Sequence, residues 1–193
     1  ISASVKAYYA LKLAGENINS VSMKKAKKNI LRIGGAEKSN VFTKIMLALF
    51  EQISWESVPV MPIEIINLPK WFSFHLNKIS YWSRTVLVPL LIILNKKPVA
   101  NNPNGLNINE LFLKKKFKID LPKNDKKLWS GFFKIIDRLL RKIDPYISRK
   151  YKQKCTEKAY NWILERLNGK DGLGGIFPAM VNSLIAFSID DYG

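Results

Sequence analysis

Cysteine and histidine are almost absent from this chain, with Cys155 and His75 the single representatives of each. One cysteine cannot close an internal disulfide and fits a reducing compartment. One histidine leaves too few ligands for a zinc-type centre, so no metal is expected. Glycine-rich phosphate loops of the GxGxxG or P-loop type are missing, as is HExxH, and no Ser or Cys has a histidine spaced to activate it. Long apolar runs are lacking too. The longest, 86–94, is broken by Pro89 and falls well short of the roughly 20 residues that cross a bilayer. No secretory signal opens the chain, because 1–15 already reads as an amphipathic helix. A start at Ile1 and a stop at Gly193, where another helix is expected, read as cut ends of a longer chain.

Acidic residues are scarce: 15 Asp and Glu face 32 Lys and Arg, for a net charge of +17. An excess of that size calls for an anionic partner, nucleic acid or an anionic membrane face. Zinc spacing, an RNP-like aromatic motif and a helix-turn-helix turn are all missing, so nucleic acid is not the expected partner.

What the sequence has is helical periodicity punctuated by Pro and Gly. Helices are expected over 1–15 (stopped by Gly15), 23–33 (stopped by Gly34 and Gly35) and 41–50, the last capped by Asn40 or Ser39 with Phe42, Ile45, Met46 and Leu49 as its apolar face. Two prolines in 58–62 preclude a long helix, and a short one is expected over 64–68. The segment 80–94 is the most apolar helix, 107–127 a basic loop whose lysine-rich part, 114–127, is expected to be exposed, and 129–143, 149–167 and 177–187 are further helices. The segments 24–50 and 154–187 share a plan of basic helix, glycine-rich turn and apolar helix. Such repeated hairpins suit an all-α, α/α barrel architecture.

Three features could carry function. At about 100° per residue, the helix 126–143 puts Trp129, Phe132, Phe133, Ile135, Ile136, Leu139, Leu140 and Ile143 on one side. Lys134, Asp137, Arg138, Arg141 and Lys142 fall on the other. Large apolar groups opposite cations describe a helix lying in a membrane interface with anionic lipids; the alternative is a core-facing helix with a solvated basic face. Second, Tyr81, Trp82 and Arg84 open the apolar helix. Aromatic faces there could stabilise a carbocation, or Trp82 is a core anchor and Arg84 pairs with a carboxylate such as Glu64. Third, Gly174-Gly175-Ile176-Phe177-Pro178 is a tight turn able to present Ile176 and Phe177 to a cavity, or else an ordinary helix connection. The acid pair Asp190–Asp191 suits turn residues.

An ordered series of motifs resembles the bacterial squalene–hopene cyclases. Val5-Lys6-Ala7-Tyr8-Tyr9-Ala10-Leu11-Lys12-Leu13-Ala14-Gly15 is similar to their AYxALKxxG stretch. It is followed in the family's order by Asn40-Val41-Phe42-Thr43-Lys44, Val58-Pro59-Val60-Met61-Pro62-Ile63-Glu64-Ile65, Tyr81-Trp82-Ser83-Arg84-Thr85, Trp162-Ile163-Leu164-Glu165-Arg166 and Gly172-Leu173-Gly174-Gly175-Ile176-Phe177-Pro178. The series covers nearly the whole chain and leaves 107–127 nondescript.

The resemblance implies part of one α/α barrel domain of a two-domain, monotopic membrane enzyme on the cytoplasmic face. That enzyme cyclises squalene without a cofactor, starting from protonation by a DxDD motif, and it allows a homodimer. Trp82, Ile176, Phe177 and Pro178 would line the substrate cavity, and 126–143 would attach to the membrane. No DxDD occurs here, so the general acid is expected beyond Gly193 and the piece alone is expected to be inactive. Phe177 stands where the family often has Gln, which leaves hopene, hopanol or another product open. Leu167 and Leu173 replace the Gln and Trp of its QW repeat. Rival readings are a non-catalytic, lipid-binding helical module and a related triterpene cyclase acting on another polyene.

Overall fold

The computed structural model describes residues 1–72, 75–102, 104–113, 127–167, 169 and 173–189, with the side chains of 127–134 outside that description. Among the described residues every regular element is helical: α1 (Ser2–Leu13), α2 (Val21–Arg32), α3 (Val41–Leu49), α4 (Tyr81–Lys96), α5 (Lys127–Ile143), α6 (Arg149–Leu164) and α7 (Phe177–Ile189), joined by short 3-10 turns. The all-α expectation holds, and helices packed in pairs through long-range contacts are consistent with the α/α toroid class.

Local chemistry explains the helix limits. Asn40 Oδ1 accepts from the Thr43 amide at 2.9 Å, which identifies the cap of α3, and Ser80 Oγ does the same for Ser83 N at 3.2 Å at the head of α4. Gly15, at φ +86°, stops the chain after α1. The segment expected as a helix over 64–68 is a 3-10 turn, Ile63–Asn67, between Pro62 and Pro69.

The face of α3 needs correction. Thr43, Lys44, Ile45, Leu47 and Ala48 are buried, while Phe42 is 58% exposed. Nearly every position of this short helix is apolar, so periodicity gave little contrast from which to choose a face.

The chain divides into two compact units, Ile1–Pro59 with Val99–Ile135, and Val60–Pro98 with Ile136–Gly193. In the first, α1, α2 and α3 bury Val5, Tyr8, Met23, Ile30 and Leu47. The stretch 107–113, the start of the basic loop expected over 107–127, forms a structural strap. Ile108 and Leu111 are fully buried, the Ile108 amide donates to Gln52 Oε1 at 2.9 Å, and the Leu113 amide donates to Glu37 Oε1 at 2.7 Å. The rest of that loop, 114–126, lies outside the described residues.

Glu110 ties the strap to α1. Its Oε1 accepts from Tyr8 Oη at 3.0 Å and from Lys12 Nζ at 2.6 Å. Burial pushes the Tyr8 phenol up from 10.0 to about 12, helped by its hydrogen bond to Glu110 and by that carboxylate's charge. Burial also acts to raise the Glu110 carboxyl, but the hydrogen bonds from Lys12 and Tyr8 outweigh it and hold the group below its usual range. The two signs give opposite windows. A phenol raised in the folded state stabilises below its unfolded pKa, and that contribution is lost as pH rises through the folded value. A depressed carboxyl stabilises above its unfolded pKa and loses its contribution as pH falls through the folded one. The denaturant midpoint is therefore expected to fall between pH 10.0 and about 12, and to fall less in Tyr8→Phe. Equal slopes for the two proteins would remove Tyr8 as the cause.

Candidate functional site

The second unit is built on α4. Its later half is apolar on all sides, and Val88, Leu91 and Ile92 are fully buried against α6, α7 and the Ile63–Asn67 turn. Small residues permit that approach: Ala159 of α6 and Ala179 and Ala186 of α7 have no exposed surface. Tyr160, buried between them, donates its hydroxyl to the Ala186 carbonyl at 2.6 Å and thereby satisfies its polar end.

The first turn of α4 is a different environment. Tyr81 and Trp82 are 38% and 54% exposed and meet edge to face, with ring centroids 5.8 Å apart. The far edge of the Trp82 indole lies against the turn that leads into α7. A Cβ built on Gly174, at φ +65°, would stand 2.7 Å from Trp82 Cζ3. Two features marked separately in the sequence, the aromatic opening of α4 and the glycine-rich turn, are thus one locus. Ile176 is half-buried and packs on the core, whereas Phe177, at 73% exposure, and Pro178 project from the start of α7. Ile176 is thus partly a packing residue, while Phe177 and Trp82 offer open aromatic surface.

Arg84 does not pair with Glu64. Its Nη1 donates to Asn77 Oδ1 at 3.1 Å, and its guanidinium stands 5.9 Å from the Tyr81 ring centroid. Both carboxyl oxygens of Glu64 and the Nε of Arg84 are buried without a hydrogen-bond partner among the described residues. Buried polar atoms left so cost about 1–3 kcal/mol each. The sequence reading used Glu64 only as a counter-ion; a carboxylate inside an apolar Pro-flanked segment was the available signal. Cys155 is no nucleophile: it is buried, burial raises its thiol, and the charge of Glu64 raises it further. His75 caps the next turn, its Nδ1 accepting from Asn77 N at 2.9 Å.

The second candidate surface is α5. Asp137, which falls on the cationic side of the wheel, turns inward. Its Oδ1 accepts from the Val60 amide at 2.7 Å and its Oδ2 from Arg141 Nε at 2.8 Å. The described half of the helix is thus tied down through Asp137, and part of its apolar side is exposed. Leu139 and Ile143 are each 52% exposed, Ile135 is 57% exposed, and Tyr146, just beyond the helix, is 89% exposed. Ile136 and Leu140 are half-buried and Arg138 is exposed. The side chains of Trp129, Phe132, Phe133 and Lys134 lie outside the described residues, as do Asp190 and Asp191. Ile135, Ile143 and Tyr146 sharpen the surface; the first two were legible from i, i+4 spacing with Leu139. No helix among the described residues is long and apolar enough to cross a membrane.

The arrangement offers aromatic faces, a buried carboxylate and an exposed apolar stripe, and the sequence holds no DxDD acid motif. Comparison with known proteins agrees with it. The model of the squalene-hopene cyclase N-terminal domain matches residues 1–193. The squalene–hopene cyclase of Zymomonas mobilis is 44% identical over all of this chain, which covers 29% of that protein. That of Alicyclobacillus acidocaldarius is 32% identical over 97% of the chain and 30% of its own length. A dammaradiene synthase of Dryopteris crassirhizoma is 29% identical over the whole chain, covering 28% of that protein. The chain thus spans under a third of each of these relatives, and it belongs to the squalene-hopene cyclase family, matching that family's N-terminal domain along its entire length.

Proposed function

We propose that the full-length protein carrying this chain cyclises squalene to a hopene- or hopanol-type pentacyclic triterpene through a protonation-initiated carbocation cascade. In this reading the chain supplies part of the cavity wall and the membrane contact, and the general acid comes from sequence beyond Gly193. The observation that carries the reading is the junction of Trp82 with the Gly174 turn. It brings the Trp82 face to the turn that leads into α7, at whose start Phe177 is exposed, in the same compact unit as Glu64, whose buried carboxyl oxygens have no hydrogen-bond partner among the described residues. A cation moving along a polyene is stabilised by ring quadrupoles, which neither add to it nor take a proton from it. An aromatic wall therefore lets a cascade run where water or an anion would stop it.

Substrate is drawn from the bilayer in this reading, through a protein docked on the cytoplasmic face. The exposed Leu139, Ile143 and Tyr146 side chains and the charge of +17 support that placement.

The test is to express the full reading frame in membranes, feed squalene, and examine extracts by gas chromatography–mass spectrometry. A pentacyclic product supports the proposal. Cyclisation of another polyene but not of squalene moves the substrate assignment. Folded, membrane-bound protein without any cyclised product would leave a lipid-binding module. Trp82→Ala is expected to lower turnover by about tenfold, equivalent to about 1.4 kcal/mol of lost cation stabilisation, and to release incompletely cyclised products. Unaltered rate and products would return Trp82 to a packing role.

A further inference from the structure

We infer that Gly174 is a positioning residue: its missing side chain sets the tilt of the Trp82 ring and, through it, the ratio of products released. The inference rests on the reading of Trp82 as part of the substrate cavity, and goes beyond it by naming what fixes the ring. Trp82 is 54% exposed, and neighbouring side chains by themselves leave so open an indole free to change rotamer. One side of it meets Tyr81 edge-on, with ring planes 67° apart. The other limit is backbone: from the position of a Gly174 Cβ, Trp82 Cζ3 is 2.7 Å away and Cε3 and Cη2 are each 3.5 Å away. No real Cβ tolerates the first of these distances, so the ring occupies space that only glycine leaves open. The φ of +65° at Gly174 reinforces the point, since side-chain-bearing residues rarely adopt it.

The obstacle is a ring free to swing toward solvent, not buried backbone. An added methyl group therefore displaces Trp82 instead of breaking the fold. Gly175 supplies the internal control. It has nearly the same φ, +67°, but a Cβ there meets nothing within 4 Å. Gly174→Ala thus carries backbone strain plus the ring contact, and Gly175→Ala carries the strain alone.

The experiment uses the full-length enzyme, labelled with 5-fluorotryptophan and with the Trp82 signal assigned by its loss in Trp82→Phe. Gly174→Ala is expected to shift or split that signal, and Gly175→Ala to leave it in place. With squalene, Gly174→Ala is expected to raise the share of incompletely cyclised products by about threefold or more. The change should be absent from Gly175→Ala, and also from Gly174→Ala placed in a Trp82→Phe background, where the smaller ring no longer reaches the methyl group. An unmoved fluorine signal overturns the positioning role. So does an equal product change in Gly175→Ala, or one that persists without the indole. A moved signal with unchanged products in both Gly174→Ala and Trp82→Ala overturns the link to product ratio, and places the failure in the cavity reading, since the ring contact itself would stand.

Discussion

Replacing Leu139 and Ile143 together by glutamate is expected to weaken binding of the full-length protein to anionic vesicles by more than about tenfold. Full burial of a leucine or isoleucine side chain is worth about 1.5–3 kcal/mol. Both side chains are 52% exposed on the protein, so roughly half of that remains to be gained from lipid at each, about 1.5–3 kcal/mol for the pair. The introduced carboxylates add repulsion from anionic headgroups of about 1 kcal/mol per charge. Sedimentation with vesicles containing phosphatidylserine reads the effect directly. The matching lysine pair separates the two causes, because it removes the same apolar surface while adding charge that the headgroups favour. Intermediate binding by the lysine pair, with stronger dependence on salt, is the expected pattern. Unchanged sedimentation of the glutamate pair would remove this surface as the anchor.

That surface shows where sequence stops short of structure. The wheel separated greasy from cationic residues over 126–143, yet the separation alone allowed either side to face the protein. Asp137 decides it, by accepting from the Val60 amide and from Arg141. A backbone amide leaves no trace in a residue pattern, so the bond that orients the helix could not be read from the sequence. The same holds for the 107–113 strap. Ile108, Glu110 and Leu111 look unremarkable ahead of a lysine run, and their partners Gln52, Lys12 and Tyr8 lie far away along the chain.

Short-range chemistry was legible. Asn40 and Gly15 mark their helix ends by side-chain reach and by a left-handed φ, both properties of single residues. The apolar character of 86–94 was sufficient to identify the element buried most deeply. The candidate site stands between these cases. Trp82 and the Gly174 turn were each visible as local features with ordinary alternatives. Their meeting is what favours a shared role, and it depends on how α4 packs on α7. The pairing of Arg84 with Glu64 fails for a related reason: Asn77 and the Tyr81 ring lie nearer along the chain and take the guanidinium first.

Leu91→Ala is expected to destabilise the second unit by about 2–5 kcal/mol, since it empties a fully buried site among residues of α6 and α7 that cannot all collapse inward. Leu184→Ala, at a site 71% exposed on α7, should stay within about 0.5 kcal/mol of the parent. Denaturant unfolding of both variants supplies the comparison, and similar midpoints would mean that α4 is not the organising element. The argument for a large effect runs through Pro89. Its ring removes a backbone donor in the middle of α4, past the exposed aromatic start and within the buried part. A helix interrupted there depends on tertiary packing more than on its own hydrogen bonds. Leu91 sits just past that interruption, on the side that anchors. Loosening it frees the head of α4 as well, so Leu91→Ala should broaden the product spectrum at temperatures well below its unfolding midpoint, in the direction expected of Trp82→Ala. A variant that is less stable but unaltered in its products would show that the Gly174 turn alone is enough to hold the ring.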